Sequence, residues 1–101
     1  MIVVLFEVTP KPGRAQDYFD MAAELRPELE KIDGFISVER FESRTEEGKY
    51  LSFSVWRDEE AVRAWREVAE HQAAQNKGKS EIFDRYRIRV AEVVRDYGFE
   101  S

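Results

Sequence analysis

The 101-residue chain has no cysteine and a single histidine, His71. The first absence excludes disulfides, thiolate metal sites and a cysteine nucleophile, and it is compatible with a reducing compartment. The second leaves no imidazole pair for a metal triad and no Ser-His-Asp arrangement that the spacing supports. Neither GxGxxG nor a P-loop occurs, which disfavours nucleotide chemistry. Lysine and arginine form no cluster and the net charge is −5. Nucleic acid, which demands a concentrated positive patch, is therefore not an expected partner. Long hydrophobic runs are missing too. The opening MIVVLFEV breaks at Glu7 with no basic segment before it, so it reads as a strand and not as a signal peptide or membrane span. A cytoplasmic protein without membrane contact is the expectation.

What is present suits one packed domain over residues 1–101: 43% of the residues are apolar, enough for a sheet and helices around a single core. Ile2 to Val8 is β-branched and aromatic on both alternating faces, so both sides of that strand need cover. Thr9 to Gly13 forms a turn, and Arg14 to Ile32 a helix whose stripe is Tyr18, Phe19, Ala22, Leu25, Leu29 and Ile32. Gly34 ends it. Phe35 to Ser43 and Tyr50 to Trp56 form a hairpin around Thr45-Glu46-Glu47-Gly48. In its second strand Leu51, Phe53 and Val55 oppose Tyr50, Ser52, Ser54 and Trp56, and the latter set reads as a wet or interfacial face. Asp58 caps a second helix, with Glu59 and Glu60 in its first turn, running to about Asn76 and stopping at Lys77-Gly78. Ser80 to Asp84 forms a further turn carrying Ile82 and Phe83, and Tyr86 to Arg95 is the fourth strand. Structural ion pairing is the expected role of Arg87 and Arg89, with Glu7 and Glu39 as partners.

This order predicts an α+β fold, the ferredoxin-like βαββαβ plait, with a four-stranded antiparallel sheet and both helices on one face. The other face would carry Val3, Leu5, Trp56 and Phe41. So large an apolar patch predicts a homodimer with the sheet faces opposed.

His71 is the one side chain with an unperturbed pKa suited to proton transfer near neutrality, and it lies at the edge of the buried arc of its helix. It faces either a groove or solvent. Trp65 lies mid-stripe as a core anchor that can also wall a pocket. Trp56 divides between dimer interface and pocket rim. Phe53, Phe83 and Tyr86 either complete an aromatic cavity between sheet and helices or fill the core.

SVWRDEEAVRAWR, then EHQAAQ, and YRIRVAEVVRDYG resemble the antibiotic biosynthesis monooxygenase (ABM) domain family of dimeric α/β-barrel proteins, over nearly the whole chain. The pattern of Trp56, the acidic helix start at Asp58 to Glu60, and Trp65 is its most specific part, and His71 matches the family's common histidine late in that helix. The resemblance implies a homodimer with a pocket in each subunit and, in some members, oxygenation of aromatic substrates without metal, flavin or haem. There the substrate anion itself meets oxygen, while the protein supplies desolvation, positioning and a base. The implied ligand is a small aromatic or quinol-like molecule, and the implied base is His71. The competing reading is a noncatalytic dimeric ligand-binding or stress-associated module using the same pocket. A related haem-degrading branch uses a first-strand asparagine, a tryptophan on the second helix and a histidine near that helix's end. Trp65 matches, but Phe6 and Glu7 stand where the asparagine belongs, and the haem histidine falls near Gln75. Haem degradation is therefore not the expected activity.

Overall fold

The computed structural model describes residues 1–75 and 81–101, the side chains of 71–75 excepted. Its elements run β1 (Ile2–Pro10), α1 (Ala15–Glu30), β2 (Phe35–Glu42), β3 (Tyr50–Trp56), α2 (Glu59–Gln75) and β4 (Phe83–Glu92). The strands pair antiparallel in the order β2-β3-β1-β4, so β2 and β4 are the two edges. This is the expected ferredoxin-like plait.

Two boundaries move for identifiable reasons. β1 runs through Pro10, which pairs with Phe83, and Lys11 N–H donates to the Ile82 carbonyl at 2.7 Å. That pairing starts β4 three residues before the expected Tyr86, at Phe83. The expected helix stop at Lys77-Gly78 lies outside the described residues.

The core lies between the sheet and the helices in two clusters. Ile2, Val4 and Trp56 meet Leu29 of α1 and Ala61 and Val62 of α2. Val8 meets Tyr18 of α1 and Ile82. Because Ile2 pairs with Trp56 and Val4 with Ser54, the Ser54/Trp56 set faces the helices. This corrects the expectation that it forms a wet or interfacial face. Ser54 is tolerated there because the Trp56 indole N–H donates to its hydroxyl at 2.9 Å, satisfying both groups. The opposite face carries Val3, Leu5, Phe41, Leu51, Phe53 and Val55 by register, with the Arg89–Glu7 ion pair at 3.1 Å beside them.

The α1–β2 turn is packed tightly against α2. Gly34 has φ +98°, and a Cβ there would lie 2.7 Å from the Ala61 Cβ, so only glycine fits. Its carbonyl accepts the Arg57 N–H at 2.7 Å, which ties the turn to the start of α2.

Candidate functional site

On β4, the residues at alternate positions facing the helix side are Tyr86, Ile88 and Val90, paired with Val8, Phe6 and Val4. Their neighbours on β1 are buried or half-buried, yet these three remain 62%, 54% and 52% exposed. The reason is lateral: the helices pack over β1 and β3, and β4 is an edge strand. An apolar strip is thus left open on the very side of the sheet where the core forms.

At one end the strip meets a cluster of rings. Phe6 lies 5.7 Å from Tyr86 and 6.1 Å from Phe83, and Phe83 lies 6.2 Å from Tyr86, centroid to centroid. Behind them Tyr18 is buried against Phe6 and Phe83. Its hydroxyl accepts a hydrogen bond from Arg40 Nε at 3.2 Å, and the guanidinium lies 5.1 Å above its ring. These rings fill one another's space and leave Tyr86 as the exposed wall.

At the other end the strip opens into a cleft of about 400 Å³, lined by Met1, Ile2, Arg57, Asp58, Glu59, Val90, Ala91 and Glu92. Val90 belongs to both. Two of its charged residues, Arg57 and Asp58, already hold each other. Arg57 donates twice to Asp33, at 3.2 Å each, and once to Asp58 at 3.0 Å, so its guanidinium is held even further above its usual range. Asp58 accepts the Ala61 N–H at 2.9 Å as the cap of α2; this bond, followed by the Arg57 contact, pulls its carboxyl below the ordinary value.

Phe83 and Tyr86 come together as expected, but with Phe6 and not with Phe53. Phe53 pairs with Leu5 on the opposite face of the sheet, which separates it from any site beside the helices. Trp56 is 0% exposed, which corrects its expected place on the bare sheet face; it is a core residue, with Phe35 edge-on at 5.3 Å. Trp65 is half-buried and stacks on Trp56 at 6.2 Å and 16°, as a core anchor with one side still accessible. The backbone of His71 lies within α2, and its side chain lies outside the described residues. Sequence reasoning missed Phe6, Ile88 and Val90 as site residues, although Phe6 shares the parity of Val4 and Val8 along β1. Among the described residues no three His, Cys, Asp or Glu side chains are grouped to hold a metal ion. No described helix is long and apolar enough to cross a membrane.

Residues 1–77 match the family model described as antibiotic biosynthesis monooxygenase. Jasmonate monooxygenase ABM of Pyricularia oryzae is 43% identical over 93 residues, which are 92% of this chain and 43% of that protein. YqjZ of Bacillus subtilis, an uncharacterized protein, is 39% identical over 68 residues, 67% of this chain and 58% of that one. The chain thus spans about half the length of these two relatives. A Deinococcus radiodurans crystal structure that carries the family's description superposes with a TM-score of 0.81 over 100% of both chains at 13% identity, a likeness of fold alone.

Proposed function

We propose, since the chain belongs to the antibiotic biosynthesis monooxygenase family, that it oxygenates a small aromatic or quinol-like metabolite lying along the helix side of β4. The observation that carries this reading is the open strip of Tyr86, Ile88 and Val90, with Phe6 and Phe83 at its base. A planar substrate stacks on the exposed Tyr86 ring and lays its apolar body over Ile88 and Val90. Trp65, which stacks on Trp56 of β3, is not part of this strip.

The chemistry needs few protein groups. An acidic CH₂ flanked by aromatic rings loses one proton to a base, and the resulting anion reacts with O₂ to give a hydroperoxide. Loss of water from that species turns the CH₂ into a carbonyl, so one oxygen atom enters the product and the other leaves with both hydrogens. No external reductant enters this balance. The protein's part is to desolvate the anion, hold it and supply the base, and His71 takes the last role because its ordinary pKa lies near neutrality.

Oxygen uptake with a panel of anthrones and hydroquinones, and with jasmonate because a relative bears that name, tests the reading. His71→Ala should lower the turnover of an accepted substrate by roughly 10² or more, the size of a general-base contribution. Equal rates for the two proteins would remove His71 as the base.

The assembly that goes with this reading is a homodimer joined through the bare sheet faces, where Val3, Leu5, Leu51, Phe53 and Val55 gain cover. A monomer by light scattering at micromolar concentration would contradict it.

A further inference from the structure

The face of β4 that carries Tyr86, Ile88 and Val90 does not stop at Val90. Glu92 is the next residue of the same parity, and it pairs with Ile2, whose side chain is buried on the helix side of the sheet. At about 3.3 Å per residue, Tyr86 and Glu92 stand about 20 Å apart along the strand. The strip is therefore apolar from Tyr86 to Val90 and ends in a carboxylate. There it becomes the cleft between the start of β1, the end of β4 and the first turn of α2, where Glu59 supplies a second carboxylate.

The cations of the cleft do not balance these two groups. Arg57 is already taken up by Asp33 and Asp58. Glu59 and Glu92 are exposed, and neither carboxylate has a hydrogen-bond or ion-pair partner among the described residues. Counting the amino group of Met1 as a cation, the lining sets Asp58, Glu59 and Glu92 against Arg57 and that one amine, and Asp33 adds a further carboxylate on Arg57. One end of the open strip is thus negative, while its middle is apolar.

We infer, resting on the reading above that an aromatic ligand lies along β4, that this ligand carries an ammonium group at its far end and that Glu92 and Glu59 select it over carboxylate-bearing analogues. A ring stacked on Tyr86 with its long axis along the strand points its far substituent past Val90 into the cleft. An ammonium there meets two carboxylates that have no other partner. A carboxylate there is set beside two like charges. The cleft offers it little in return, because Arg57 already donates three bonds to carboxylates and the Ala61 N–H at the head of α2 is taken by Asp58. Each contribution is modest because both glutamates are exposed, so the selection comes from their sum.

The test uses three unreactive planar probes that differ only at one end: 2-aminomethylanthracene, 2-hydroxymethylanthracene and anthracene-2-carboxylate. Their dissociation constants are measured by fluorescence anisotropy at low ionic strength, with circular dichroism establishing that each variant is folded. Wild type should bind the ammonium probe at least roughly tenfold more tightly than the carboxylate, with the hydroxymethyl probe between them. Glu59→Gln/Glu92→Gln should remove most of that gap. Glu47→Gln/Glu81→Gln, which changes the net charge equally at the other end of the sheet, should keep it. Equal binding of the three probes by wild type, or a gap that the remote pair lowers as much as the cleft pair, overturns the selection. In either case an Ile88→Asp variant that weakens the hydroxymethyl probe leaves the strip standing as the ring site. Binding of no probe overturns both. A second measurement needs no variant: the wild-type gap should narrow as salt is raised, and a gap independent of salt overturns the electrostatic origin of the preference.

Discussion

Trp56 shows how a residue's neighbours two positions away decide its surroundings. Its indole is enclosed by Phe35 and Trp65, and its one polar atom donates to Ser54, two residues back on the same strand face. A serine at that position reads as polar surface when strand faces are scored by hydropathy alone. Within a fully enclosed pair it is an internal hydrogen-bond acceptor. Ser54→Ala should orphan the buried indole N–H and lower stability by about 1–3 kcal/mol, measured by urea unfolding. With Trp56→Phe in the background the same serine change should cost much less, because no donor is then left unpaired. That local pairing hides the parity of β3 from hydropathy: with Trp56 read as outward, Phe53 reads as inward, and a ring from the far face of the sheet enters the expected cavity. Tyr86 escapes this error because β4 alternates apolar with arginine there, so the arginines mark the outward face, whereas Phe83 shares the arginines' parity and reaches the helix side through the register shift between Thr9 and Pro10.

At the scale of elements, the start of α2 and the turn after α1 were the most legible features, because each depends on a few residues close in sequence. Asp58 caps α2 through the Ala61 N–H as expected, and Gly34 closes the α1–β2 turn. The requirement for glycine at position 34 is stronger than a turn preference, since Ala61 of another helix occupies the space a side chain would take. Contact at that distance in sequence is set by packing and leaves no local mark. The cap also gives a pH dependence with a defined sign. The folded carboxyl of Asp58 is held below its unfolded value of about 3.9. Its stabilising effect is therefore complete above that unfolded value and is lost as pH falls through the lower folded one. Asp58→Asn keeps a capping oxygen but cannot titrate. The melting-temperature difference between wild type and this variant should be constant from pH 5 to 7 and narrow as pH drops below about 4. A difference that stays flat to pH 2 would show that the cap's charge contributes nothing.

For the molecule as a whole, strand and helix order sufficed to reach the βαββαβ plait, since each connection is short and each strand ends at a turn signal. What could not be read was lateral cover. Which strand the helices leave open depends on how two helices share a four-stranded sheet, a property of the assembled layers and not of any one segment. Here β4 is left open, and that single fact relocates the candidate site from an enclosed aromatic cavity to a strip running from Tyr86 to the Val90 cleft. The aromatic cluster behind it, with Tyr18 fixed by Arg40, is the rigid floor at one end. Catalytic positioning requires such a floor, because a substrate held loosely forfeits most of the advantage of being bound.

The most direct test of this placement is oxygen uptake with an accepted anthrone or hydroquinone by wild type and Ile88→Asp, with circular dichroism establishing that both are folded. Ile88 is exposed, so the substitution leaves the core intact while setting a charge in the middle of the strip. At least a tenfold fall in kcat/KM is expected, since an ionised carboxylate there must be desolvated under an apolar substrate. An unchanged kcat/KM would contradict a site on the helix side of β4.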